Sequence, residues 1–169
     1  MSCSGEFVEQ EEIIQIKSSI QQQLKKAKYG VADHSTVELC HWTKKSFKGQ
    51  DSCYKHKFYG ISTHQCMEFS PAGMYCENRC VYCWRPMEFY DSLEMNHENV
   101  AEPEDIVIKL LAEREKLIMG HYGDPKSIRK KLDESLLPAH YAISLSGERS
   151  EEHTSELQSL AYLVCRLLL

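Results

Sequence analysis

Residues 64 to 86 read HQCMEFSPAGMYCENRCVYCWRP. The opening HQCMEFSP is a short apolar run stopped by Pro71, the mark of a strand that ends where proline removes a ladder donor. A loop follows that holds Cys76, Cys80 and Cys83, with three and then two residues between them. A structural zinc ion takes four protein ligands, usually from C-x2-C pairs. Three thiolates with no fourth fit an iron–sulfur cluster that leaves one iron open to a substrate. A zinc site that borrows its fourth ligand elsewhere stays as the alternative.

The flanking sequence supplies the frame for that loop. PEDIVIKLLAEREKLIMG, residues 103 to 120, has Pro103 at its start and acids in its first turn. A Val107/Leu110/Leu111/Ile118 stripe and a terminal Gly120 complete a strong helix signature. PKSIRKKLDESLLP predicts a second, shorter helix, and HYAISLSGE a buried strand running into a turn. Strand, loop, helix, strand is the order of a parallel α/β unit. Upstream, residues 9 to 28 place Ile13, Ile16, Ile20, Leu24 and Ala27 on one helical face, with Gly30 as the stop. Between Val31 and Gly60 no period is evident, a pattern open to being held together by a metal rather than by a core. No internal repeat or low-complexity tract stands out.

Composition narrows the classes further. The chain has 169 residues, 42% of them apolar, and a formal net charge of -5. That size suits one ordinary domain, and disorder is not expected. No apolar run approaches the roughly 20 residues of a membrane span, and MSCSGEFVEQEE lacks a signal-peptide pattern. A soluble cytoplasmic protein with no membrane partner is expected, in which eight cysteines point to metal rather than disulfides. The acidic balance argues against a generally basic nucleic-acid binder. Even so, His41 to Phe58 carries five lysines, Lys44, Lys45, Lys48, Lys55 and Lys57, against the single acid Asp51. Such a cluster is either a solvated face or a phosphate-contacting patch.

The spacing of Cys76, Cys80 and Cys83 resembles the C-x3-C-x2-C signature of radical S-adenosylmethionine enzymes, with the aromatic Tyr82 before the last cysteine as in that superfamily. Three further cysteines, Cys40, Cys53 and Cys66, precede the triplet with twelve residues between each. Together LCHWTKKSF, CYKHKFYGI, HQCMEFSP and CENRCVYCWRP resemble the archaeal-type tRNA 4-demethylwyosine synthases over about residues 31 to 148. The fold this resemblance implies is α/β: the N-terminal part of a radical SAM partial (βα)6 TIM-like barrel, truncated, preceded by an amphipathic helix and a cluster-binding segment. It divides the chain into an N-terminal helix (1–30), a second-cluster segment (31–67) and the start of the barrel (68–148).

The same resemblance implies two [4Fe–4S] clusters, one on Cys76, Cys80 and Cys83 that binds S-adenosylmethionine, the other on Cys40, Cys53 and Cys66. It implies a carbon–carbon lyase/synthase of wyosine biosynthesis. Its substrates are N1-methylguanosine in phenylalanine tRNA and pyruvate, with electrons from an external donor. A 5′-deoxyadenosyl radical would abstract hydrogen from the N-methyl group, and the methylene radical would attack the pyruvate carbonyl carbon. Decarboxylation and ring closure would complete the tricyclic base. Lys55 matches the position proposed to form a Schiff base with pyruvate, and a nearby cluster and Lys57 are expected to lower its pKa. Ser146, Gly147 and Glu148, in SLSGE, match the segment that binds the amino group of S-adenosylmethionine. Trp84 is read as core, and the tRNA surface is sought at Lys44, Lys45 and Lys48. Cys3 and Cys165 receive no role. A zinc-binding RNA-interaction module, or a radical enzyme with another substrate, is the competing class.

After SLSGE the resemblance stops. RSEEHTSELQS, residues 149 to 159, is the translation of a common sequencing adapter. Residues 149–169 are therefore expected to be an assembly artefact and the chain an inactive, marginally stable fragment.

Overall fold

The computed structural model describes residues 13–73, 75, 81 and 99–143. Four strands form one sheet in the order β1 (Tyr29–Ala32), β2 (Ser35–Glu38), β3 (Cys66–Ser70) and β4 (His140–Ile143). The first three are antiparallel neighbours, and β3 pairs with β4 in parallel, Cys66 opposite His140 and Phe69 opposite Ile143. The expected parallel unit is therefore present, but joined to an antiparallel hairpin. The result is a mixed α/β sheet. Because β3 and β4 are parallel, both strands end at the same end of the sheet. Cys76, Cys80, Tyr82, Cys83, Ser146, Gly147, Glu148, Trp84 and residues 149–169 lie outside the described residues.

The helix expected over residues 9 to 28 is shorter. Among the described residues α1 spans Ser18–Lys26. The preceding residues are drawn into extended pairing instead: the Ile14 amide donates to the Asn99 carbonyl at 3.0 Å and that of Ile16 to Asp33 at 3.1 Å. Gly30 is not a helix stop but lies in β1. A Cβ there would meet Glu113 Cβ and Val37 Cγ1, both at 2.8 Å, so glycine lets a helix pack directly on the strand. The left-handed residue after α1 is Lys28, at φ 67°.

That covering helix, α4 (Pro103–Met119), has the expected proline and acids at its start. It lies over β1 and β2, burying Ile106, Leu110, Arg114 and Ile118 at four-residue spacing. Met67, Phe69 and Val37 meet Ile106 and Leu110 in the main core.

Residues 31 to 60 are not irregular. They form β2, α2 (His41–Phe47) and α3 (Tyr54–Tyr59). Phe47 is fully buried with Leu39, Ile118 and Leu132, so a hydrophobic core anchors this region. Leu132 comes from α5 (Arg129–Ser135), the expected shorter helix. The strand expected to be buried, β4, alternates instead: Tyr141 and Ile143 are 55% and 66% exposed. Among the described residues it has only one strand neighbour, β3, and is an edge.

His34, in the β1–β2 turn, is 1% exposed and ties this sheet to the loop that leads to the triplet. Its Nδ1 donates to the Pro71 carbonyl at 2.7 Å and its Nε2 accepts from the Ala101 amide at 3.0 Å. Those two bonds define one neutral tautomer. No helix among the described residues is long and apolar enough to cross a membrane.

Candidate functional site

Cys40, Cys53 and Cys66 each occupy the boundary of an element. Cys40 is the N-cap of α2, where its Sγ accepts from the Thr43 amide at 3.4 Å. Cys53 is the N-cap of α3, and Cys66 opens β3 after a 3-10 turn at Thr63–Gln65. Element boundaries of this kind place side chains at the ends of helices, where the chain turns. Pairing of β2 with β3 brings the ends of the segment together, and α2 and α3 return the chain between them.

The three thiols, all free, line one cavity of about 200 Å³ together with Lys55, Thr63 and Glu68. Lys55 Nζ stands 3.7 Å from Cys66 Sγ. Trp42 and Tyr54 border the same space. Thr63 and Glu68 carry no signal in the sequence, since a lone threonine or glutamate has no spacing pattern.

Charge in the cavity is governed by the sulfurs. Burial pushes the Lys55 ammonium down, but Cys66, Cys53, Tyr54 and Cys40 pull it up, and the net direction is up. The expected lowering of Lys55 by a second lysine is thus corrected. Lys57 instead pairs with Asp51 at 3.1 Å. Burial also pushes the Cys66 thiol up, against the pull of Lys55.

Arg114 supports this wall from behind. It is 1% exposed and donates to the carbonyls of Ser135, His64 (3.4 Å) and Cys66 (3.3 Å). Burial lowers its pKa to about 10, which still leaves it charged at neutral pH. The sequence places it in the apolar stripe of α4, where its role is invisible. His64 in turn meets Glu134 Oε2 at 2.7 Å, fastening the 3-10 turn to α5.

The residues present fit a bound group. Thr63 Oγ1 is buried with no hydrogen-bond partner, and the residue lines the cavity beside the three thiols. Buried polar atoms are normally satisfied, so this orphaned hydroxyl in a wall residue is one a bound group could satisfy. Among the described residues no set of three or more His, Cys, Asp or Glu converges tightly enough for a single metal ion. A lone ion draws thiolates to roughly 2.3 Å from one point. A multi-iron cluster spreads its ligands over separate irons, a looser demand.

No protein-family model matches the chain. Among curated proteins it is 45% identical over 118 residues to the S-adenosyl-L-methionine-dependent tRNA 4-demethylwyosine synthase of Pyrococcus abyssi, covering 70% of this chain and 34% of that one. The enzyme of the same name in Methanocaldococcus jannaschii is 39% identical over 137 residues, covering 79% and 44%. The human protein of that name, TYW1, is 36% identical over 118 residues, covering 70% and 16%. The chain thus spans less than half the length of these relatives. Among solved structures, TYW1 with a lysine–pyruvate adduct bound superposes with a TM-score of 0.67 at 38% identity, over 79% of this chain and 43% of that one. An archaeal TYW1 superposes with a TM-score of 0.59 at 35% identity.

Proposed function

We propose that this chain, homologous over most of its length to tRNA 4-demethylwyosine synthases, carries the pyruvate-binding part of such an enzyme. The parent reaction is the condensation of N1-methylguanosine in phenylalanine tRNA with pyruvate, in a cytoplasmic radical SAM enzyme fed by an external electron donor. The observation that carries this reading is that Lys55 shares a cavity with Cys40, Cys53 and Cys66, 3.7 Å from the last of them. A solved relative that holds a lysine–pyruvate adduct supports the same assignment.

Cys40, Cys53 and Cys66 would hold one [4Fe–4S] cluster, and Cys76, Cys80 and Cys83 the other, in a partial barrel that begins at β3. When bound, such clusters supply an electron and an open iron able to bind carboxylate or amine groups. The remaining steps belong to the protein's own groups. Neutral Lys55 Nζ attacks the ketone carbon of pyruvate, the carbonyl oxygen leaves as water, and an imine remains. Beside these sulfurs the Lys55 ammonium is pushed up on balance, so the amine must give up its proton before it attacks. Thr63 Oγ, without a partner of its own, is available to hydrogen-bond the pyruvate carboxylate or a ligating sulfur. Tyr82, Ser146, Gly147 and Glu148 are the proposed contacts to S-adenosylmethionine.

Trapping tests the reading. The full chain is incubated with pyruvate and cyanoborohydride, digested, and its peptides mapped by mass spectrometry. One reduced imine at Lys55, absent from Lys55→Arg, is expected. Labelling spread over the exposed lysines instead would remove Lys55 from the mechanism.

A further inference from the structure

A second concavity, of about 390 Å³, is bordered by Lys28, Lys44, Lys116 and His121 over the apolar side chains of Leu39 and Leu117. No carboxylate lines it among the described residues. Lys116 pairs with Glu113 on the same helix, whereas Lys28 and Lys44 have no acidic partner among the described residues. The cations converge from three separate elements: the left-handed residue after α1, the middle of α2, and the end of α4 with its following turn. Lys28 is held there by its own backbone, whose amide donates to the Lys25 carbonyl at 3.1 Å. His121 packs edge-on against buried Phe47, ring centroids 5.3 Å apart. Burial, Lys44 and Lys48 push its pKa down, which keeps the ring neutral and able to donate one N–H.

Two of the three ammonium groups around this concave apolar base, Lys28 and Lys44, have no acid of their own among the described residues, while Lys116 is paired with Glu113. Like charges brought together are a cost that a bound anion relieves. We propose that this pocket binds a phosphate oxyanion, with one phosphodiester of an RNA backbone as its occupant in the reading given above, on which that choice of occupant rests. A volume within the roughly 300–1,000 Å³ of small-ligand sites leaves room for the attached sugar. The pocket also stands next to the chemistry. Leu39 and Lys44 line it, while their neighbours Cys40 and Trp42 line the cysteine cavity. A phosphate gripped here would fix the strand a few residues of protein away from Lys55.

The test uses the full chain, with Lys28→Gln and Lys44→Gln as variants and Lys26→Gln, on the exposed side of α1, as control. Circular dichroism establishes that each variant folds like the parent. Binding of a labelled RNA hairpin is followed by fluorescence anisotropy over a salt series. The His121 imidazole resonances are followed during titration with inorganic phosphate. Each pocket variant should weaken hairpin binding about threefold to tenfold and flatten the log K against log salt slope by about 0.7–0.9, one phosphate contact. The control should do neither. Inorganic phosphate should move the His121 signals in the parent and far less in Lys44→Gln. Phosphate binding at His121 with no hairpin binding would uphold the oxyanion site, assign it to a free phosphate, and count against the RNA reading. Hairpin binding with an unchanged slope in both variants and a silent His121 would overturn the pocket while leaving the RNA reading intact.

Discussion

Lys55 Nζ and Cys66 Sγ lie 3.7 Å apart although eleven positions separate them, one on the first turn of α3 and the other at the start of β3. The contact places an amine against a thiol on the wall of a cavity with two more thiols. An amine so placed stands within reach of a small carbonyl compound that enters the cavity, and that arrangement motivates the first expectation.

Lys55→Ala should abolish product formation, by on the order of 10²-fold or more, in an assay of the full-length parent enzyme with methylated tRNA and pyruvate. The iron–sulfur absorbance should be unchanged. Retained activity with intact clusters would end the proposed imine.

Arg114→Met should destabilise the fold by roughly 2–4 kcal/mol, because the buried carbonyls of Ser135, His64 and Cys66 lose their common donor. Arg114→Lys should recover little, since one ammonium lacks the planar fork that spans three acceptors. Urea unfolding midpoints of the two variants measure this, and a lysine variant as stable as the parent would contradict it.

Gly73→Ala is expected to cost roughly 1–3 kcal/mol, since a Cβ there would meet Thr36 Cγ2 at 2.5 Å and Oγ1 at 2.7 Å. Thr36 is buried and cannot swing away. Adding Thr36→Ala removes both obstructing atoms, so the double variant should be more stable than the sum of the single losses. Strict additivity in a thermal-melt cycle would show that the two residues do not collide.

His121 gives the chain an acid-side weakness. Its folded pKa lies below the ordinary 6.5 through burial and the charges of Lys44 and Lys48. A group depressed in the folded state takes up its proton more readily when unfolded, so its stabilising share is complete above 6.5 and is lost as pH falls through the folded value. His121→Gln should therefore lose less stability than the parent between neutral pH and pH values below 6.5. Parallel losses in denaturant titrations at the two pH values would exclude this role.

Local features were readable from residues alone. Pro103, the early acids, the apolar spacing and Gly120 defined α4, because capping and amphipathic periodicity act within a turn or two. The run before Pro71 defined β3 for the same reason. The β1–β2 hairpin escaped notice: four-residue strands carry little periodic signal, and their stability comes from pairing and from α4 above them. Gly30 misled for a related cause, since its need for a bare Cα is set by Glu113, far away in sequence.

At the site the division is similar. The cysteine words carried the family resemblance, because residue type and spacing are written in the chain itself. Only the tertiary structure brought Cys40, Cys53, Cys66 and Lys55 to one cavity, put Arg114 behind it, and left Thr63 Oγ1 buried without a partner in its wall. It also gathered Lys28, Lys44, Lys116 and His121 around a second pocket. The physical reason is range: propensity and ligand identity are properties of neighbouring residues, while charge fields, orphaned polar atoms and cavities arise between segments that meet only when the sheet closes.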